Sequence, residues 1–431
     1  MASRAGSGII YPEQALPTGR MVGLGLQHVI AMFGATVLAP VLMGFDTNLA
    51  IFFSGIGTLI FMLIVRGRIP SYLGSSFAFI APVVAAKEYG GVPAALGGIA
   101  AAAIVYAVVA VLIKTKAGTR ALEALMPPAV TAAVIAVIGI GLAPVAWDMA
   151  GNDWSLALVT LAVAIAVAVA AKGTVKLIPV LVAVVIGYII AALLGKVDFT
   201  AVMNAPWLGL PNFVMPTINL SAISLIVPVV VMLLAENIGH VKAISAYMER
   251  DLTPHIGDAF LGDATATFVS ALGGGTGQTT YAENIGVMSI TKVFSIRPLQ
   301  VAAVTAICLG LVPKFGALVG TIPVPVMGGI SFMLFGLIAG TSSKVIASAK
   351  EDWGTLENFG VFGISIALCT AMVAKQVTLQ LGGVVLDPIG ASTFAAVLLN
   401  LGIVLLKKIS PFVAEEEAEP EALPIEPAEA V

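Results

Sequence analysis

The chain has 431 residues, 59% of them hydrophobic and only 10% charged, with a formal net charge of −3 and a mean hydropathy of +1.05. Water-soluble domains run at about 45–50% apolar and about 25% charged, so a soluble globular fold is excluded. The small negative charge, part of it in an acidic tail from Glu415 to Glu429, gives no sign of nucleic-acid binding.

Apolar runs of roughly 17–25 residues, long enough to cross a hydrocarbon layer of about 30 Å as helices, recur along almost the whole sequence. Residues 1–19 lack the charged-then-apolar pattern of a cleavable signal and read as a cytosolic segment. Runs and breakers then place helices at 20–43, 48–65, 92–113, 121–144, 154–171 and 177–195. After an extracytoplasmic connection over 196–217, further helices are expected at 218–241, 256–272, 298–313, 317–341, 356–374 and 389–406. Two stretches, 70–89 and 273–292, begin with Gly, Ser and Thr and end apolar, so each supplies a broken span, for about 14 crossings in all. Residues 407–431 read as a disordered cytosolic tail. Cys308 and Cys369 both lie in apolar spans, which leaves no place for a disulfide framework or a thiolate metal site.

Charge orients the spans. With both termini cytosolic, 17 of the 21 basic residues fall on the cytosolic side, and only Lys87, Lys196, Lys314 and Lys375 fall on the other. The positive-inside rule selects this arrangement and an even number of spans, because one crossing more or fewer would scatter the basic residues over both faces.

The two halves echo one another. Pro128-Ala129-Val130 leads a helix with Gly139 eleven positions on, and Pro325-Val326-Met327 leads another with Gly336 at the same offset. Upstream, Gly74-Ser75-Ser76-Phe77 has its counterpart in Gly277-Gln278-Thr279-Thr280-Tyr281. Seven spans per half is an odd number, so the second copy enters the membrane from the opposite side and the repeats, 20–195 and 218–406, are inverted. Broken spans expose backbone N–H groups and a helix terminus at mid-membrane, where a ligand can satisfy them; ordinary packing loops are the plainer alternative.

Three ionisable groups fall at lipid depth: Glu236 and His240 near the end of one helix, and Glu283 after the second break. Each costs roughly 2.5 kcal/mol or more to insert, so a cavity or a partner is expected for it. Glu236 and His240 stand one helical turn apart and share a face, so they can bond and handle a proton together. Glu283 sits where a half-helix begins, near unsatisfied N–H groups and a positive dipole end. Buried polar links between helices remain the plainer alternative for both glutamates, and His28 beside Gln27 reads equally as packing or as site. No nucleophile elbow or metal spacing is present, and Gly273-Gly274-Gly275-Thr276-Gly277 lacks the Lys of a phosphate loop, so no enzyme is indicated and no cofactor is expected.

Glu283-Asn284-Ile285-Gly286 followed by Thr291-Lys292 resembles the signature of the nucleobase-ascorbate transporters. The likeness extends to Gln27-His28, Gly74-Ser75-Ser76-Phe77 and Ala235-Glu236-Asn237-Ile238-Gly239-His240. It implies an all-α polytopic membrane protein of 14 spans in two inverted repeats of seven, short strands in the third and tenth, and division into core and gate domains. It also implies proton symport, a bacterial inner-membrane location and a homodimer. A signature opening with Glu is similar to uracil permeases, whereas xanthine and urate carriers show Gln, so uracil is expected over purines. By the same resemblance Glu236 and Glu283 grip the pyrimidine, His240 supports Glu236, and the backbone N–H groups of Phe77 and Ala282 donate to its carbonyls. Tyr281 joins the substrate set, and His28, Ser76 and Phe335 the wider pocket. Ala282 departs from the Gly of similar uracil carriers, and Phe335 from their Tyr. An anion transporter of similar inverted-repeat fold is the rival from another class, but such a site wants a fixed positive group, and this one holds two carboxylates and a histidine.

Overall fold

A computed structural model of the chain describes residues 8–172, 175–176, 178–349, 353–381 and 384–409. The acidic tail expected at the C-terminus falls almost wholly outside them. Among the described residues, eight helices are long and apolar enough to cross a membrane, or nine if one bent pair is a single span. The fold is therefore mostly helical and polytopic.

The first half runs α1 (Thr18–Met43), α2 (Thr47–Ile64), strand β1 (Leu73–Ser75), a 3-10 turn at Phe77–Phe79, α3 (Ile80–Lys87), α4 (Gly91–Ile113), α5 (Lys116–Leu125), α6 (Pro128–Gly141), α7 (Ala143–Gly151), α8 (Trp154–Ala170) and α9 (Pro179–Leu193). A short α10 (Thr200–Asn204) and an extended connection follow. The second half runs α11 (Leu220–Ile226), α12 (Val229–Met248), α13 (Ile256–Gly273), β2 (Gln278–Thr280), α14 (Ala282–Thr291), α15 (Ile296–Gly310), α16 (Pro313–Gly320), α17 (Val324–Ser348), α18 (Leu356–Lys375), a hairpin of β3 (Leu379–Leu381) and β4 (Val384–Leu386), and α19 (Pro388–Ile409).

Helix starts follow local chemistry. Asp46 accepts from the N–H groups of Asn48 and Leu49 ahead of α2, Asp153 caps α8, Asn219 caps α11, and Pro opens α6, α9 and α16. Two expected spans are corrected. The run over 121–144 is interrupted after Met126 by Pro127-Pro128, which separates the amphipathic α5 from the apolar α6. Likewise α15 and α16 meet at 83° around Pro313, and the next span begins at Val324 rather than 317. The β3–β4 hairpin had no counterpart in the sequence reading.

The centre of the fold is the pairing of the two broken stretches. β1 and β2 run antiparallel with Leu73 opposite Thr280, Gly74 opposite Thr279 and Ser75 opposite Gln278. The ladder is prolonged by Ser76 N–H on Gly277 O (2.9 Å) and Tyr281 N–H on Tyr72 O (2.9 Å). A two-stranded ribbon has two open edges, which lipid depth does not tolerate. Each is closed by a helix threonine: Leu73 N–H donates to Thr58 Oγ1 of α2 (2.9 Å), and Gln278 N–H to Thr267 Oγ1 of α13 (3.0 Å). Gly74 is required here because a Cβ would run into the Tyr281 ring. The repeated Pro-led helices α6 and α17 also pack together, at Gly139, where a Cβ would stand 2.6 Å from Ala339 N. Gly336, its partner by offset, faces open space, so the echo in sequence is not an echo in packing.

Candidate functional site

Both breaks leave helix starts beside the ribbon. Ser76 follows the first strand, its hydroxyl accepting from Ala78 N–H (3.3 Å) to cap the 3-10 turn, and the Phe77 N–H has no acceptor within that turn. Tyr281 follows the second, and α14 begins at Ala282 with Glu283 in its first turn. The first N–H groups of any helix lack intrahelical partners. The Phe77 and Ala282 N–H groups therefore lie at two chain breaks joined by one ribbon.

α12 packs against both breaks. Ser76 Oγ donates to Glu236 Oε2 (3.1 Å), and His240 Nδ1 shares a hydrogen bond with Thr280 Oγ1 (2.8 Å). One hydroxyl from each broken span thus holds the Glu236–His240 turn. This corrects the expectation that His240 bonds Glu236: the two share a face, but the ring is taken by β2. The carboxylates of Glu236 and Glu283 lie within electrostatic range of one another. Both side chains keep partial access rather than full burial, and Ala282 is exposed.

Two further helices, α17 and α6, close over this region. Phe335 of α17 meets Phe77 edge to face, with centroids 5.8 Å apart and planes at 83°. Ile135 of α6 stands against Gly239, at 3.4 Å from where a Cβ would be. Phe77, Glu236, His240, Tyr281, Ala282, Glu283, Ser76 and Phe335 are thus assembled around the two breaks. His28 is placed differently: Asn284 Nδ2 donates to its carbonyl (3.1 Å) and lies 3.0 Å from its Nδ1, fastening α1 to the buried side of α14. The Tyr281 hydroxyl donates to Ser75 O (3.2 Å) and accepts from Thr36 (3.2 Å), so it braces the ribbon.

Sequence reasoning passed over Asp263. It is fully buried on α13, accepts from Asn237 Nδ2, approaches the backbone N–H of Thr280, and lies within electrostatic range of Glu236. Asn237 Nδ2 also donates to the Tyr106 hydroxyl (3.2 Å). The signal was available, since an Asp inside an apolar span is as unusual as a Glu. Among the described residues no group of three His, Cys, Asp or Glu is arranged to hold a metal ion.

Residues 19–378 match the model of the Permease family Xan_ur_permease. A uracil permease of Bacillus caldolyticus is 44% identical over 408 residues, covering 90% of this chain and 93% of its own length. A uracil permease of Escherichia coli strain K12 is 36% identical over 408 residues, covering 92% and 94%. Among solved structures, the murine anion transporter Slc26a9 in its inward-facing state aligns over 94% of this chain and 74% of that one, with a TM-score of 0.67 at 9% identity. That likeness is one of fold alone.

Proposed function

The chain belongs to this permease family, the nucleobase-ascorbate transporters whose signature it carries, and from that premise we propose that it imports uracil together with a proton by alternating access. The observation that carries the reading is that Glu236 and Glu283 lie within electrostatic range of one another, beside the helix-start N–H groups of Phe77 and Ala282. Uracil has two N–H donors and two carbonyl acceptors around a flat apolar ring. The carboxylates accept from the former, the backbone N–H groups donate to the latter, and Phe77 with Phe335 offers ring surface. A buried polar group left unpaired costs roughly 1–3 kcal/mol, which disfavours a ring with the wrong edge by about tenfold or more. The names of the relatives support a pyrimidine over a purine. An anion as substrate has only the shared fold in its favour.

The reading takes the chain as 14 spans in two inverted repeats of seven, in the bacterial inner membrane with both termini cytosolic. α1–α4 and α11–α16 with the ribbon form the core, and α5–α9 with α17–α19 form the gate. Thr58 and Thr267, doing the same work from α2 and α13, support the repeat. Glu236, Glu283 and His240 are the groups on which the coupling proton travels. One proton moving down about 100 mV supplies ~2.3 kcal/mol, or roughly 50-fold accumulation of a neutral solute.

Labelled uracil uptake into proteoliposomes tests this. Uptake should rise with an imposed inward proton gradient, collapse with an uncoupler, and be competed by thymine rather than xanthine. Glu236→Gln and Glu283→Gln should each abolish uptake while the protein still melts cooperatively in detergent. Indifference to the gradient sinks the symport, and normal uptake in either variant sinks the site.

A further inference from the structure

A polar cleft outside the ribbon lies where α2 and α12 end. It measures about 370 Å³ and is walled by Pro12 and Glu13, by the Arg66–Arg68 turn, by Arg250, Asp251, Leu252 and His255, and by Ile296. That volume falls within the range of small-molecule sites. The wall formed by the N-terminal segment is built in. Ile10 bridges Val293 in parallel, Ile10 N–H donates to Lys292 O (2.9 Å), Phe294 N–H to Ile10 O (2.7 Å), and Ser295 Oγ to Gln14 O (2.8 Å).

The cavity's charges do not balance, with three arginines against two carboxylates. Glu13 pairs with Arg250 (3.0 Å), and Asp251, still charged, accepts from the Thr253 N–H (2.9 Å). His255 lies 3.9 Å from Asp258, which pairs with Lys114 at 2.6 Å. Arg66 and Arg68 have no acidic partner among the described residues. Arg66 also holds left-handed backbone, at φ 53°, a conformation unfavourable for a side chain of its size. Three exposed arginines therefore line one half-open cleft, two of them without an acidic partner among the described residues. Guanidinium groups pair with phosphate oxygens in bidentate geometry and do so better than lysine.

We propose that this cavity is a binding site for a phosphate ester, with Arg66, Arg68 and Arg250 as its ligands. The group is either the headgroup of an anionic phospholipid or a soluble phosphate. The site bridges the segment leading into β1 and the end of the helix that carries Glu236, so its occupancy ties the two halves of the transport site to the N-terminal segment. It does not depend on which solute is carried.

The test uses the full-length protein and two probes. Inorganic phosphate is titrated in neutral detergent at constant ionic strength, with thermal melting as readout. Separately, melting is compared in phosphatidylcholine nanodiscs with and without phosphatidylglycerol. A saturable rise in melting temperature is expected in at least one arm: the phosphate arm identifies a soluble ester, the phosphatidylglycerol arm a headgroup. Arg66→Gln with Arg68→Gln should weaken that response at least about tenfold, whereas Lys176→Gln should leave it intact. Should the double variant fold poorly, Glu13→Gln keeps the test alive, because releasing Arg250 from its carboxylate should strengthen the response about twofold to fivefold. No saturable rise in either arm, or one unchanged by the arginine substitutions, overturns the proposal.

Discussion

Replacing Thr267 by Val is nearly isosteric and removes one buried hydroxyl. That hydroxyl accepts from Gln278 N–H (3.0 Å) and donates to Gln278 O (3.1 Å), closing the outer edge of β2 at a fully buried position. The N–H then loses its acceptor at a buried position, a cost of about 1–3 kcal/mol, and the carbonyl, which like the N–H faces away from the ladder, loses its donor as well. A total of about 2–3 kcal/mol corresponds to a fall of roughly 2–3 °C in a chain this long, since unfolding entropy scales at about 2.1 cal/mol/K per residue. Because β2 ends two residues before Ala282, loosening the strand also shifts the Ala282 N–H and Glu283, and uracil binding should weaken by about tenfold. Thr267→Ser keeps the hydroxyl and should restore both. Thr265→Val is the control on the same helix, because that hydroxyl only returns to Leu261 O one turn back (2.8 Å). Melting in detergent and calorimetric titration with uracil read the two effects. If Thr267→Val is tolerated as well as Thr265→Val, the threonine edge is not what holds the ribbon.

Two other perturbations follow from named contacts. Asp263→Ala leaves one hydrogen of the buried Asn237 amide unpaired at about 1–3 kcal/mol, so the melting temperature should fall together with uracil affinity; an unchanged melting temperature would mean that the Asn237–Asp263–Tyr106 network carries no stability. At the N-terminal segment, the Arg250 guanidinium holds the Glu13 carboxyl below its ordinary value of 4.5. Its contribution is therefore complete above that value and is lost as pH falls through the lower, folded-state value. Hydrogen exchange at the Ile10 and Phe294 amides, corrected for intrinsic rate, should accelerate in the wild type as pH falls below the ordinary value of 4.5, and Glu13→Gln should remove that dependence.

The parts of the fold legible in the sequence were those written as composition. Gly74-Ser75-Ser76 and Gly277-Gln278-Thr279 announced two breaks because polar, small residues at lipid depth need a reason. That the breaks pair with each other was not legible, since a register is a relation between segments about 200 residues apart. Thr58 and Thr267 were invisible for a similar reason: a helix threonine that caps a foreign strand looks the same as Thr265, which serves only its own helix. The Glu236–His240 spacing correctly gave a shared face, but a tertiary neighbour, Thr280, decided the histidine's bond. The bend at Pro313 was hidden because the apolar run continues on both sides of it.

Shared fold and different cargo can be reconciled at the level of single residues. Two helix starts beside one ribbon present two positive dipole ends, which by themselves favour an anion. Here Glu283 stands in the first turn of α14, and Glu236 is drawn toward the other break by Ser76. On the reading proposed above, these carboxylates supply the negative charge that the two dipole ends attract. A bound anion would then meet like charge, whereas a neutral ring with alternating donors and acceptors finds both signs within one contact surface. On that proposal two side chains rather than the architecture set the sign of the substrate, so Glu283→Gln should weaken uracil binding while leaving the ribbon and its melting temperature unchanged.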